Sequence, residues 1–179
     1  MKQFRSMPVQ PGDGSILLSN AREIRCYDYV NHPYEQVRDA LSTDALVIFQ
    51  SATKAAADRV ESIASELRVD IGEIRVEADL IISVKKIEEE VHEMTGPVTR
   101  LQLEWQAAKM PTLFPLRKAE LAIYPLTATE TQLDLSGLYE PPFGAVGKAM
   151  NAIAGYRIAE VSVHRFVGDV AGYLRQALA

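Results

Sequence analysis

The stretch from Gly137 to Leu178 constrains the fold more than any other. A strand ends at Gly137-Leu138-Tyr139, a rigid corner follows at Glu140-Pro141-Pro142-Phe143-Gly144, and a helical pattern then runs toward the C-terminus. Proline fixes φ and lacks an N–H, so two in succession end the strand and set the angle at which the chain turns. This is the layout of a sheet closing on a helix. An antiparallel sheet curled around one long helix rarely fills its own interior, and the gap between them is a natural apolar pocket.

The sheet itself is written in period-two alternation. Ile24, Cys26 and Val30 alternate with Arg25, Tyr27 and Tyr29, which predicts a strand over 22–30 whose apolar side is broken by Asp28. Ile74, Val76, Ala78, Leu80, Ile82 and Val84 predict the next, broken only by Ile81. The acidic run Glu88-Glu89-Glu90 with Gly96-Pro97 reads as a turn. Leu101, Leu103, Trp105 and Ala107 form another half-buried strand, followed by Ala119, Leu121 and Ile123 up to Pro125, then by Leu133, Leu135, Gly137 and Tyr139. Short polar links between them imply an antiparallel meander.

Two short helices are expected after the first strand. Asn31 caps one that starts at Pro33 and carries Val37 and Leu41 up to Ser42; Ser51 caps another whose Ala56, Val60, Ile63 and Leu67 share a side. The last helix has two apolar stripes, one of Val146, Met150, Ile153, Val161 and Ala171, the other of Ala159, Val163, Phe166, Val170 and Leu174. A helix apolar on two sides is packed on two sides, by a sheet and by either further elements or a second copy of the chain.

At 179 residues the chain suits one domain, large enough to bury roughly 70 % of its unfolded surface. Pro8, Pro11, Gly12 and Gly14 mark residues 1–14 as a flexible N-terminal arm, with a single domain over 15–179. No secretory signal is visible there, and the longest apolar run, Ala45 to Phe49, is too short to span a bilayer, so neither export nor membrane insertion is expected. The lone Cys26 cannot form an intrachain disulfide and has no metal-ligand companion, which fits the cytoplasm. A net charge of −5 without a clustered Lys/Arg stripe argues against nucleic acid as a partner. The sequence contains neither a glycine-rich phosphate loop, a nucleophile elbow nor a paired-His helix, so no cofactor and no metal are expected. His92 beside Glu88, Glu89 and Glu90 reads as a solvated loop, and His32 before Pro33 as part of a helix start.

Taken with these elements, Tyr29-Val30-Asn31-His32-Pro33-Tyr34-Glu35-Gln36-Val37 resembles the opening of the SRPBCC superfamily, which includes START lipid-transfer domains, polyketide cyclases and the birch-pollen allergen. Gly137-Leu138-Tyr139-Glu140-Pro141-Pro142-Phe143-Gly144, with Ile158-Ala159-Glu160 later, resembles a bacterial branch of it. The resemblance covers nearly everything after residue 16 and implies an α+β helix-grip fold, a curved antiparallel sheet wrapped around a long C-terminal helix. Its motifs are structural, and no residue matches a catalytic signature of one branch. It also implies a hydrophobic small-molecule partner, lipid- or polyketide-like, held between sheet and helix.

The ligand-binding candidates are Trp105, Tyr139, Phe143, Met150, Ile153, Tyr156, Arg157, Val161 and His164. The large side chains among them, with Tyr124, lie near strand ends or the helix start and either line a pocket mouth or anchor the core. Trp105 and Met150 fall on inward faces, Tyr124 on the face opposite Leu121 and Ile123. Arg157 and His164 share the stripe of Met150, Ile153 and Val161, with Glu160 at contact spacing. In a dry pocket this trio could move a proton or grip a carboxylate, giving a cyclase- or dehydratase-type enzyme; on the surface it is a solvated ionic cluster. The remaining alternative is an interaction module that dimerises through the second stripe of the last helix and holds no ligand.

Overall fold

Alternation in the strands becomes one polar and one apolar sheet face. The computed structural model describes residues 22–66, 80–92, 96–107, 116–139 and 152–179. Among them, β1 (Arg22–Val30), β2 (Leu80–His92), β3 (Gly96–Ala107), β4 (Leu116–Thr127) and β5 (Glu130–Tyr139) form an antiparallel sheet in the order β1-β5-β4-β3-β2. β2 to β5 make the expected meander, and β1 closes onto β5. Two helices, α1 (Tyr34–Glu66) and α2 (Ala152–Ala177), complete an α+β helix-grip fold.

Ile24, Cys26, Leu101, Leu103, Trp105, Leu121, Ile123, Leu133 and Leu135 point to the helices and are buried. The opposite face is polar and largely paired with itself. Arg25 grips the Asp134 carboxylate through Nε (2.9 Å) and Nη2 (2.5 Å), while Arg100 and Gln102 donate to the two oxygens of Glu120 at 2.6 and 2.7 Å. One wet face and one dry face are what an antiparallel sheet with helices on one side requires.

The two short helices expected after β1 are one continuous helix of 33 residues. Neither glycine nor proline occurs between Tyr34 and Glu66, so the chain has no breaker between Ser42, where the first helix was expected to end, and Ser51, expected to cap the second. Ser42 and Thr43 turn their hydroxyls onto the carbonyls of Arg38 and Asp39 at 2.8 and 2.9 Å, four residues back, and the helix continues through them. Its start is not capped by the Asn31 side chain. The entry turn is held instead by His32 N–H on the Val30 carbonyl (2.8 Å) and by the Thr131 hydroxyl on the His32 carbonyl (2.8 Å), with Pro33 just before the first helical residue.

The expected turn at Glu88-Glu89-Glu90 is strand, paired opposite Arg100, Thr99 and Val98. Neighbouring cations make this tolerable: Lys86 lies 2.5 Å from Glu88, and Arg100 bridges Glu90 and Glu120. β3 then opens at Gly96, whose φ of +80° suits a residue without Cβ. Residues 1–14, the alternation at Ile74 to Ala78 and the corner Glu140 to Gly144 lie outside the described residues.

The two helices pack on each other and on the sheet. In α2 the inward stripe is Ala159, Val163, Phe166, Val170 and Leu174, all 1 % exposed or less, widened by Ile158, Val167 and Ala171. The stripe expected as a possible dimer face is thus taken up by the protein's own core. Asp28, the odd residue in β1, also has its reason: Arg175 in the last turn of α2 donates to its Oδ1 at 2.5 Å and to the Tyr29 carbonyl, fastening the helix C-terminus to the strand.

Candidate functional site

Trp105 lies on the inner sheet face near the end of β3, 1 % exposed. Phe166 of α2 meets its ring edge-on at a centroid distance of 5.4 Å, Phe49 of α1 lies 6.1 Å from Phe166, and the indole N–H is bonded to Thr53. Three elements therefore converge on one aromatic stack. Leu101, Leu103, Leu121, Ile123, Leu133 and Leu135, at 2 % exposure or less, complete the packed layer of the inner sheet face.

Toward the start of α2 the character changes. Tyr139 at the end of β5 and Tyr156 in the first turns of α2 meet edge to face, with centroids 6.0 Å apart. The Arg22 guanidinium, at the start of β1, lies over the Tyr156 ring at 5.3 Å. Tyr139 is buried whereas Tyr156 is only half-buried, and burial pushes the Tyr139 phenol above its ordinary pKa. Strand register packs the sheet tightly here. Gly137 faces Ile24 on one side and Ala119 on the other, and a Cβ on it would lie 2.9 Å from both Leu116 Cδ1 and the Lys118 carbonyl, where β4 shifts register between Leu116 and Ala119.

The other expected site residues divide clearly. Arg157, Glu160 and His164 are exposed on the solvent side of α2, apart from the buried stripe, and nothing described encloses them. Val161 is half-buried. The side chain of Ile153 and all of Phe143 and Met150 lie outside the described residues. Tyr124 is on the outer sheet face as expected; its hydroxyl accepts from Gln132 Nε2 at 2.7 Å and faces Asp134 at 3.4 Å. Cys26 is buried with its thiol 3.7 Å from the Val163 carbonyl, and burial pushes its pKa up to about 12. Among the described residues no three His, Cys, Asp or Glu gather as metal ligands. Glu88, Glu89 and Glu90, as consecutive strand residues, point to alternate faces.

A feature that the sequence reading missed lies on the other side of α1. A groove of about 550 Å³ runs between α1 and the start of β2, lined by Leu46, Val47, Gln50, Ser51, Lys54 and Ile82. The signal was the run Leu46-Val47-Ile48-Phe49, because four consecutive apolar residues on a helix cannot all face one core. Ile48 and Phe49 are buried, while Leu46 and Val47 remain 59 % and 64 % exposed.

No protein-family model and no curated protein matches the chain. Solved structures similar to it include the Zhui aromatase/cyclase from Streptomyces sp. R1128, at 12 % identity, TM-score 0.44, covering 89 % of this chain and 96 % of that one. A conserved protein from Geobacillus kaustophilus aligns at 14 % identity and TM-score 0.45 over 87 % and 97 %. Ara h 8.0201 aligns at 10 % identity and TM-score 0.38 over 86 % and 97 %. These neighbours have SRPBCC-type folds, the superfamily that the sequence resembles, and none carries a substrate or a role over to this chain.

Proposed function

We propose that the chain binds an apolar or amphipathic small molecule, lipid- or polyketide-like, between the sheet and α2, at the end where β5 meets the helix start. The observation that carries this reading is the Tyr139–Tyr156 pair beneath Arg22. It joins a desolvated aromatic wall to a half-exposed ring and a cation, the combination that holds an apolar body and orients a polar tip. Trp105 and Phe166 form the closed floor beyond it, and Val161 lies along the same helix. Phe143, Met150 and Ile153 are assigned to the remaining lining, Arg157 to the rim, and His164 is left outside. Affinity comes mainly from burial, at about 0.8 kcal/mol per hidden CH2.

The test is native mass spectrometry of the intact chain with single-chain lipids and aromatic polyketide-like probes, together with fluorescence of Trp105, the one tryptophan. Binding that saturates at one guest and weakens in Tyr156→Ala supports the reading. Absence of any adduct and an unchanged emission across the probe set would contradict it.

A further inference from the structure

We propose that the groove between α1 and β2 is a second binding site, separate from the Tyr139–Tyr156 end, and that it takes a single-chain amphiphile with a carboxylate head. Leu46, Val47, Gln50, Ser51 and Lys54 share one flank of α1, and along that flank the chemistry is graded. Leu46 and Val47 supply the apolar end over the buried Ile82; Ser51 and Lys54 supply the polar end. Leu46 and Lys54 are eight residues apart, so the two ends are separated by about 12 Å along the helix axis. A guest with one apolar and one polar end matches that gradient, and its volume falls within the usual range for small-molecule sites.

Charge decides which head group. Among the described residues the groove lining contains no carboxylate and Lys54 is exposed with no ion-pair partner, in a chain whose net charge is −5. The Ser51 hydroxyl, one helical turn before it, likewise makes no hydrogen bond among them. An ammonium and a hydroxyl spaced by three residues on one helix face can both donate to one carboxylate. A docked β-strand fits less well, because the edge N–H of Ile82 that it would need is already given to Gln50 Oε1 at 3.2 Å.

The experiment is methyl NMR on the full chain, reading the shifts of Leu46, Val47 and Ile82 during titration with decanoate, decanol and decyltrimethylammonium. Ile82 lies opposite Trp105, the floor of the other site, so the two sites are scored separately on the exposed Leu46 and Val47 methyls. The expected result is saturable shifts with decanoate, weaker ones with decanol and none with the ammonium. Lys54→Gln weakens decanoate about tenfold, the size of one charge-assisted hydrogen bond, and leaves decanol unchanged. Val47→Asp removes both, and Tyr156→Ala leaves the groove response intact. Three results would overturn the proposal: no shift with decanoate, equal response to decanoate and the ammonium, or unaltered decanoate binding in Lys54→Gln. A protein that is dimeric in light scattering and monomeric as Val47→Asp would overturn it too, by assigning the groove to a second copy of the chain.

Discussion

Trp105 donates its indole N–H to the Thr53 hydroxyl at 2.9 Å, a buried hydrogen bond that ties β3 to α1 across the floor of the interior. The bond fixes which way the largest core side chain lies, and with it the position of Phe166 and the packing of α2. A buried indole without a partner carries a desolvation penalty, so the pair matters more for what its loss exposes than for its net strength.

Thr53→Val should therefore destabilise the fold by about 1–3 kcal/mol through an orphaned N–H, although it changes almost no volume. Trp105→Phe should cost a similar amount by removing the donor and part of the ring. The double variant should fall short of the sum, because the orphaned donor is absent from it. Urea unfolding followed by far-ultraviolet circular dichroism measures all three; strict additivity would show that the two side chains act independently.

Gly137 should not tolerate a side chain. Its missing Cβ would lie 2.9 Å from the Lys118 carbonyl, a backbone atom that can move only if β4 moves with it. Gly137→Ala should cost about 1–3 kcal/mol, and Gly137→Val more, in spite of the better β-propensity of valine. Thermal unfolding checks this, and a stabilised Gly137→Val would contradict the register of β4 against β5.

Alkaline pH should reveal Cys26. Below pH 9, its ordinary value, the thiol is protonated in both folded and unfolded chains and contributes no pH dependence. Between about 9 and 12 the unfolded chain releases the proton while the folded one retains it, so stability falls as pH rises. The slope approaches about 1.4 kcal/mol per pH unit. Subtracting the Cys26→Ala profile isolates this component from the tyrosines. The same burial predicts that a disulfide reagent leaves the native thiol untouched at pH 8 and modifies it only on unfolding.

Strong alternation made most of the sheet legible. The expected strand over 22–30 coincides with β1, and the inward sets of β3, β4 and β5 are those that period two predicts. Where the reading failed, tertiary contacts overrode local chemistry. The acidic run Glu88 to Glu90 stays in a strand because Lys86 and Arg100 neutralise it, and the tract Ser42-Thr43 stays helical because Leu41 before it and Ile48 and Phe49 after it are buried in the core. On α2 both stripes were visible, but which of them faced the sheet was not, since apolar spacing fixes relative positions on a helix and leaves open the side that is covered. For the same reason Tyr139 and Tyr156 could be named separately, while their contact, the overlying Arg22 and the flank of α1 from Leu46 to Lys54 required the packed chain.

The most direct measurement of the central claim is the affinity of one captured guest for the wild-type chain and for Tyr156→Ala, by native mass spectrometry with stability measured alongside. Tyr156 is only half-buried, so its truncation should cost little stability yet weaken the guest about tenfold or more, one aromatic wall being lost. A guest held equally well by both proteins, or none held by either, would contradict a ligand site where β5 meets α2.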